Sequence, residues 1–127
     1  MKYLSHYMEA LQTEAFNKYD AFFAFSDSQF NEGKKENVKY INMGSGLLCP
    51  KENAAPLMAE LDTIYKNAIK QDIAENGKIG IIERELHNHE AFYTGSIADT
   101  IDQLEDYGFT RADIIAEYNR IAPTVDY

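Results

Sequence analysis

Between Pro56 and Gly77 the apolar residues Leu57, Met58, Leu61, Ile64, Tyr65, Ala68 and Ile73 return mostly at intervals of three and four. That spacing lines one face of an α-helix at about 100° per residue. No other periodic stretch of the chain is as long, so the remaining elements are expected to pack against it. Asn53 stands where an N-cap would, Pro56 falls in the first turn, where a missing N–H is harmless, and Gly77 is placed as the C-terminal stop. Glu60, Lys66, Lys70 and Asp72 read as the outer face.

A second helix is expected over residues 79–93. Ile79, Ile82, Leu86, His89 and Tyr93 would share a seam there, with gaps of three, four, three and four. Gly77 and Gly80 bracket the turn between the two helices, which reads as an antiparallel pair with its apolar seams facing. His89 would then be buried and hydrogen-bonded, with Glu85 one turn earlier in reach of its ring. His87 would lie near the opposite face beside Arg84, while Asn88 and Glu90 fix the turn into Thr94.

Ahead of this pair, Tyr3, Leu4, Tyr7, Met8, Leu11 and Ala15 give an amphipathic helix over residues 2–18. The apolar run of residues 21–25 is ambiguous by itself. Ser26 resolves it: Ser26 with Gln29 three residues on has the form of a capping box, so a helix should start at Asp27 and Phe22 to Phe25 should arrive as a buried strand. Val38 to Met43 alternates, Gly44-Ser45-Gly46 turns, and Leu47 to Cys49 returns, which reads as a β-hairpin. The glycines are too few, and Cys49-Pro50 too close behind, for a phosphate-binding loop. Cys49 has no base assigned to it and reads as a packed thiol.

After Thr94-Gly95, Ser96 with Asp99 and then Thr110 with Asp113 suggest the capped starts of two short helices, separated by Gly108 and closed by Pro123. Ile97, Ile101 and Leu104 would face inward from the first, and Ile114, Ile115, Tyr118 and Ile121 from the second. The outline is that of a helix-turn-helix, but a DNA reader needs cations along its second helix, and Arg111 and Arg120 stand there among acids. The fold expected is α+β: a mainly helical single domain of five or six helices over residues 1–127, with a small two- or three-stranded sheet in residues 21–50. A chain of 127 residues can close such a core without disulfide or metal staples.

Two segments carry a resemblance. Phe22-Phe23-Ala24-Phe25-Ser26 with Gln29-Phe30 and Gly33, and Glu85-Leu86 with Asn88-His89-Glu90 and Thr94, are similar to a family of small uncharacterised proteins of bacterial phages and mobile elements. The resemblance implies origin and compartment rather than an activity. It also marks Asn88, His89 and Glu90 as residues to follow.

Charge narrows the function classes. A net charge of -9 weighs against direct nucleic-acid or anionic-membrane binding, which depend on clustered Lys and Arg. No run approaches the roughly 20 apolar residues of a membrane span. With a lone cysteine and no signal-like start in residues 1–11, a cytoplasmic location is expected. From Asp99 onward seven acids meet two arginines, a balance of -5.

Glu83, Glu85, His87, His89 and Glu90 lie close enough in sequence to suggest a metal. On a helix, however, His87 and His89 diverge by roughly 200°, and a zinc site needs three or four protein ligands. Neither a Gly-x-Ser-x-Gly motif nor a framed carboxylate pair occurs. We therefore expect no cofactor, and an acidic accessory or regulatory protein that binds the basic surface of a protein partner, without fixing an oligomeric state. Its contact residues would be Asp99, Asp102, Glu105, Asp106, Asp113 and Glu117. The alternative is a metal-dependent hydrolase using His87, His89 and Glu90.

Overall fold

The computed structural model describes residues 1–125; Asp126, counted above in the acidic C-terminal stretch, lies outside the described residues. The fold is mainly helical α+β, with six α-helices and a three-stranded antiparallel sheet among the described residues. Two compact units divide it, one of residues Lys2–Ala68 and one that begins at Ile69 and takes in Met1.

The first unit opens with helix α1 (Leu4–Lys18). Tyr7 and Ala15 of its expected inner face are buried, whereas Tyr3 and Leu11 are exposed. Strand β1 (Phe22–Phe23) leads to helix α2 (Asp27–Gly33), then strands β2 (Tyr40–Asn42) and β3 (Leu47–Pro50) form the hairpin. β3 lies between the other two, with Phe22 opposite Leu48 and Ile41 opposite Cys49. Leu47 and Cys49 point into a core with Ala15, Ala21, Leu57 and Ile64. This is the period-2 consequence of a strand whose one face meets helices. Burial pushes the Cys49 thiol up, as expected of a packed cysteine.

Two expectations for this unit change. Phe22 to Phe25 is not a buried strand: β1 has two residues, and Phe23 and Phe25 are exposed. The capping at Ser26 that stops the strand does occur, with Ser26 Oγ accepting from Gln29 N at 3.2 Å and Gln29 Oε1 accepting from Phe25 N at 2.7 Å. Asn53 does not cap the long helix. Its side-chain amide donates to Tyr19 O at 2.9 Å, and a 3₁₀ turn over Lys51–Asn53 runs straight into the helix instead.

Helix α3 spans Ala54–Asn88 and passes from the first unit into the second. One residue inside it is not helical: Gly77, at φ 72° and ψ 160°, a combination reached essentially only by glycine. Asp72 and Arg84, twelve positions apart, form a salt bridge of 2.9 Å. In an unbroken helix they would be roughly 18 Å apart along the axis. The chain therefore folds back at Gly77, as the glycine suggested. Helix α4 (Ala91–Thr94) follows Glu90, which is left-handed at φ 54°. Helix α5 (Ala98–Leu104) continues into a 3₁₀ turn over Glu105–Tyr107, and helix α6 (Arg111–Ile121) starts at the expected Thr110. There Thr110 Oγ1 accepts from Asp113 N at 3.1 Å, and Asp113 Oδ2 accepts from Thr110 N at 2.9 Å. Ser96 makes no such cap for α5, whose N-cap position is Ile97. No helix among the described residues is long and apolar enough to cross a membrane.

The seam expected over residues 79–93 is rotated. Ile81, Ile82 and Leu86 are fully buried, but Ile79 is 57% and Tyr93 73% exposed. The left-handed Glu90 breaks the 100° count before Tyr93, and the face turned inward carries Arg84 and Glu85 along with the isoleucines.

Candidate functional site

The most heavily built part of the second unit is polar. Asp72, expected on the outer face of its helix, is 0% exposed. Its carboxylate takes both terminal nitrogens of Arg84, Nη1 to Oδ1 at 2.9 Å and Nη2 to Oδ2 at 3.0 Å. This planar two-point pairing suits a guanidinium. Asn76, one turn on, donates to Oδ1 at 2.7 Å, and the Tyr107 hydroxyl donates to Oδ2. Arg84 Nε meets Glu85 Oε1 at 2.8 Å, so two carboxyl groups clasp one guanidinium. Asn88 Nδ2 donates to the other Glu85 oxygen at 3.4 Å, and Thr100 Oγ1 donates to the Glu85 carbonyl at 3.3 Å.

The electrostatics follow from burial opposed by partners. Burial pushes the Asp72 carboxyl up, but the hydrogen bonds from Arg84, Tyr107 and Asn76 and the Arg84 charge outweigh it and hold the group below the usual carboxylate range. Burial alone would ease the proton off Arg84, yet the carboxylates of Asp72 and Glu85 reverse that and raise it. For Tyr107 burial and the Asp72 carboxylate act together, so its phenol is pushed well above its ordinary value. Each of these groups is held in one protonation state at neutral pH. Asp72 is closed off from solvent with its oxygens occupied, whereas a catalytic acid or base must come within hydrogen-bond reach of its substrate.

What the network does is fasten one segment. Thr100 on α5 and Tyr107 at the end of the following turn are both buried and both bonded to α3 residues, Thr100 to Glu85 and Tyr107 to Asp72. Leu104, fully buried, lies between them. Counting about 100° per residue from Thr100, Leu104 and Tyr107 fall on the same side. Asp99, Asp102, Glu105 and Asp106 fall on the opposite arc, and all four are exposed.

The other residues singled out from the sequence are placed as follows. Asp113 caps α6 and pairs with Lys78 at 2.8 Å. The Lys78 ammonium, helped by the Thr110 backbone N–H and hydroxyl, holds the Asp113 carboxyl down at about 2. Glu117 is taken by Arg120 Nη2 at 2.7 Å. Both thus differ from Asp99, Asp102 and Glu105, which have no ion pair among the described residues.

His89 is not buried and hydrogen-bonded as expected. Its side chain is 25% exposed, and the enclosed Nε2 has no hydrogen-bond partner, lying 3.5 Å from Glu85 Oε2. His87 is exposed, with Phe92 4.9 Å away between ring centres and Glu83 4.0 Å away, rather than beside Arg84. Glu90 is the left-handed residue after Asn88 and His89. The structure does not gather His87, His89 and Glu90: among the described residues no three His, Cys, Asp or Glu side chains are grouped as metal ligands would be.

Sequence reasoning passed over Asp72, Arg84 and Tyr107 as members of a site. A signal for Asp72 was present, since Leu57, Leu61, Ile64, Ala68 and Asp72 continue one series of gaps of three and four. Tyr107 carried none, because it lies in a turn before Gly108.

No curated protein matches this chain, and no solved structure does. A family model matches residues 4–124. The chain thus belongs to the DUF7659 family, a family of unknown function.

Proposed function

We propose that this protein is a non-catalytic accessory or regulatory protein of phage or mobile-element origin. In this reading it works in the cytoplasm and presents Asp99, Asp102, Glu105 and Asp106 to a basic surface on a protein partner. The observation that carries the reading is the anchoring of α5 and its turn. Buried bonds through Thr100 and Tyr107 fix the inner side of a short segment whose outer arc holds the four exposed acids. Among the described residues Asp99, Asp102 and Glu105 have no ion-pair partner, unlike Asp113 and Glu117. A fixed acidic arc attracts a basic surface at long range and sets its register on contact. The mobile-element part rests on the Phe22 to Gly33 and Glu85 to Thr94 segments, and the cytoplasmic part on the lone Cys49.

The test is capture from a bacterial host lysate at low and high salt. It compares the native protein with D99N/D102N/E105Q and with a control that removes charge from α1, E9Q/E14Q. The expected result is a protein retained at low salt by the native chain and the control but not by the triple variant. Equal capture by all three, or none by any, overturns the reading.

A further inference from the structure

The hairpin of the first unit sets two lysines against each other. β2 and β3 pair with Tyr40 opposite Pro50. The next ladder bond, from Lys51 N–H to Lys39 O at 2.8 Å, carries the pairing one step further. Lys39 thus lies directly opposite Lys51. Lys51 is also the first residue of the 3₁₀ turn, and the ammonium groups carried on these facing residues are like charges that repel.

Four other surface lysines find acids: Lys18 pairs with Glu60, Lys35 with Asp20, Lys66 with Asp62 and Lys78 with Asp113. Lys39 and Lys51 have no such partner among the described residues, and Glu52, though it borders the same pocket, pairs with neither. The two lysines line a cavity of about 490 Å³ together with Asn37, Val38, Pro50 and Glu52.

We propose that this pocket binds a small organic anion. Its phosphate or carboxylate group sits between the ammonium groups of Lys39 and Lys51, and its apolar body rests on Val38 and Pro50. The site is separate from the acidic arc and does not depend on it. Without a ligand the pair carries two like charges on facing residues that no acid among the described residues offsets. With one, the same charges make two charge-assisted contacts to a single anion. The opposed lysines select charge, and the apolar wall selects against bare inorganic ions.

The probes are phenyl phosphate, benzoate and inorganic phosphate, each titrated at constant ionic strength against the native protein, K39Q, K51Q and the control K70Q, which alters an exposed lysine of α3. Binding is read by calorimetry and by the shift in melting temperature. Phenyl phosphate or benzoate is expected to bind and to raise the melting temperature, with inorganic phosphate weaker, and whichever of the two binds identifies the headgroup. K39Q and K51Q should lose about tenfold or more in affinity while K70Q keeps it. Without ligand, at low salt, K39Q and K51Q should melt higher than the native protein, because a repulsion has been removed. Failure of both aromatic anions to bind, affinity unchanged in K39Q and K51Q, or an equal loss in K70Q overturns the proposal.

Discussion

At the scale of residues the strongest physical statement concerns Arg84, which sits between Asp72 and Glu85 with its side chain 5% exposed. A buried ion pair adds little net stability over an apolar replacement of the whole, but removing one partner leaves a charge that nothing compensates. Arg84→Met is therefore expected to lower the unfolding free energy by about 3–5 kcal/mol in urea titrations. Tyr107→Phe removes one hydrogen bond to a charged acceptor and should cost about 1.5–3 kcal/mol. The order of the two is the informative part, since a larger loss for Tyr107→Phe would mean that the guanidinium is not the centre of the network.

The pH dependence has a sign that can be worked out at the same residues. The Tyr107 phenol is raised from 10.0 in the fold, so its contribution is complete below pH 10 and is lost as pH climbs above it. The stability difference between native protein and Tyr107→Phe should accordingly shrink above pH 10. Asp72 is lowered from 3.8, so its contribution is present above that value and fades as pH falls below it. Unfolding curves at acid and alkaline pH read both effects.

At the scale of elements, the fold-back of α3 depends on Gly77. Any side chain there must adopt φ 72°, so Gly77→Ala should destabilise by about 1–3 kcal/mol even though a Cβ would meet no atom within 4 Å. Elements were also where the sequence was most legible. The Ser26 and Thr110 caps, the hairpin around Gly44-Ser45-Gly46 and the stop at Gly77 are local chemistry, readable from a few neighbouring residues. What could not be read was which charged residues fold inward. Asp72 looks like a surface acid until Arg84, twelve positions away, and Tyr107, thirty-five away, are brought to it. Periodicity placed Tyr93 inward because it assumes an unbroken helix, and a left-handed Glu90 cannot be foreseen from spacing; Ile79 lies outward because the inner face also takes Arg84 and Glu85. The acidic residues of α5 were legible as a charge excess, but their separation from Asp113 and Glu117 depends on Lys78 and Arg120 reaching those two.

At the scale of the whole molecule, the boundary between the two compact units, Ala68 to Ile69, falls inside α3 rather than in a linker. We propose that they unfold together as one cooperative domain. Circular dichroism and tyrosine fluorescence should then follow a single coincident urea transition, and two separated transitions would contradict this.

The acidic arc of residues 99–106 is the working surface we propose. The most direct measurement is an amide-resolved nuclear magnetic resonance titration of the isotope-labelled protein with the partner captured from the lysate, at about 0.1 M and about 1 M salt, where the screening length falls from roughly 10 Å to about 3 Å. The expected result is chemical-shift change concentrated in residues 98–107 at the lower salt and largely absent at the higher. Changes centred on His87, Asn88, His89 and Glu90, or a response that salt leaves untouched, would contradict it.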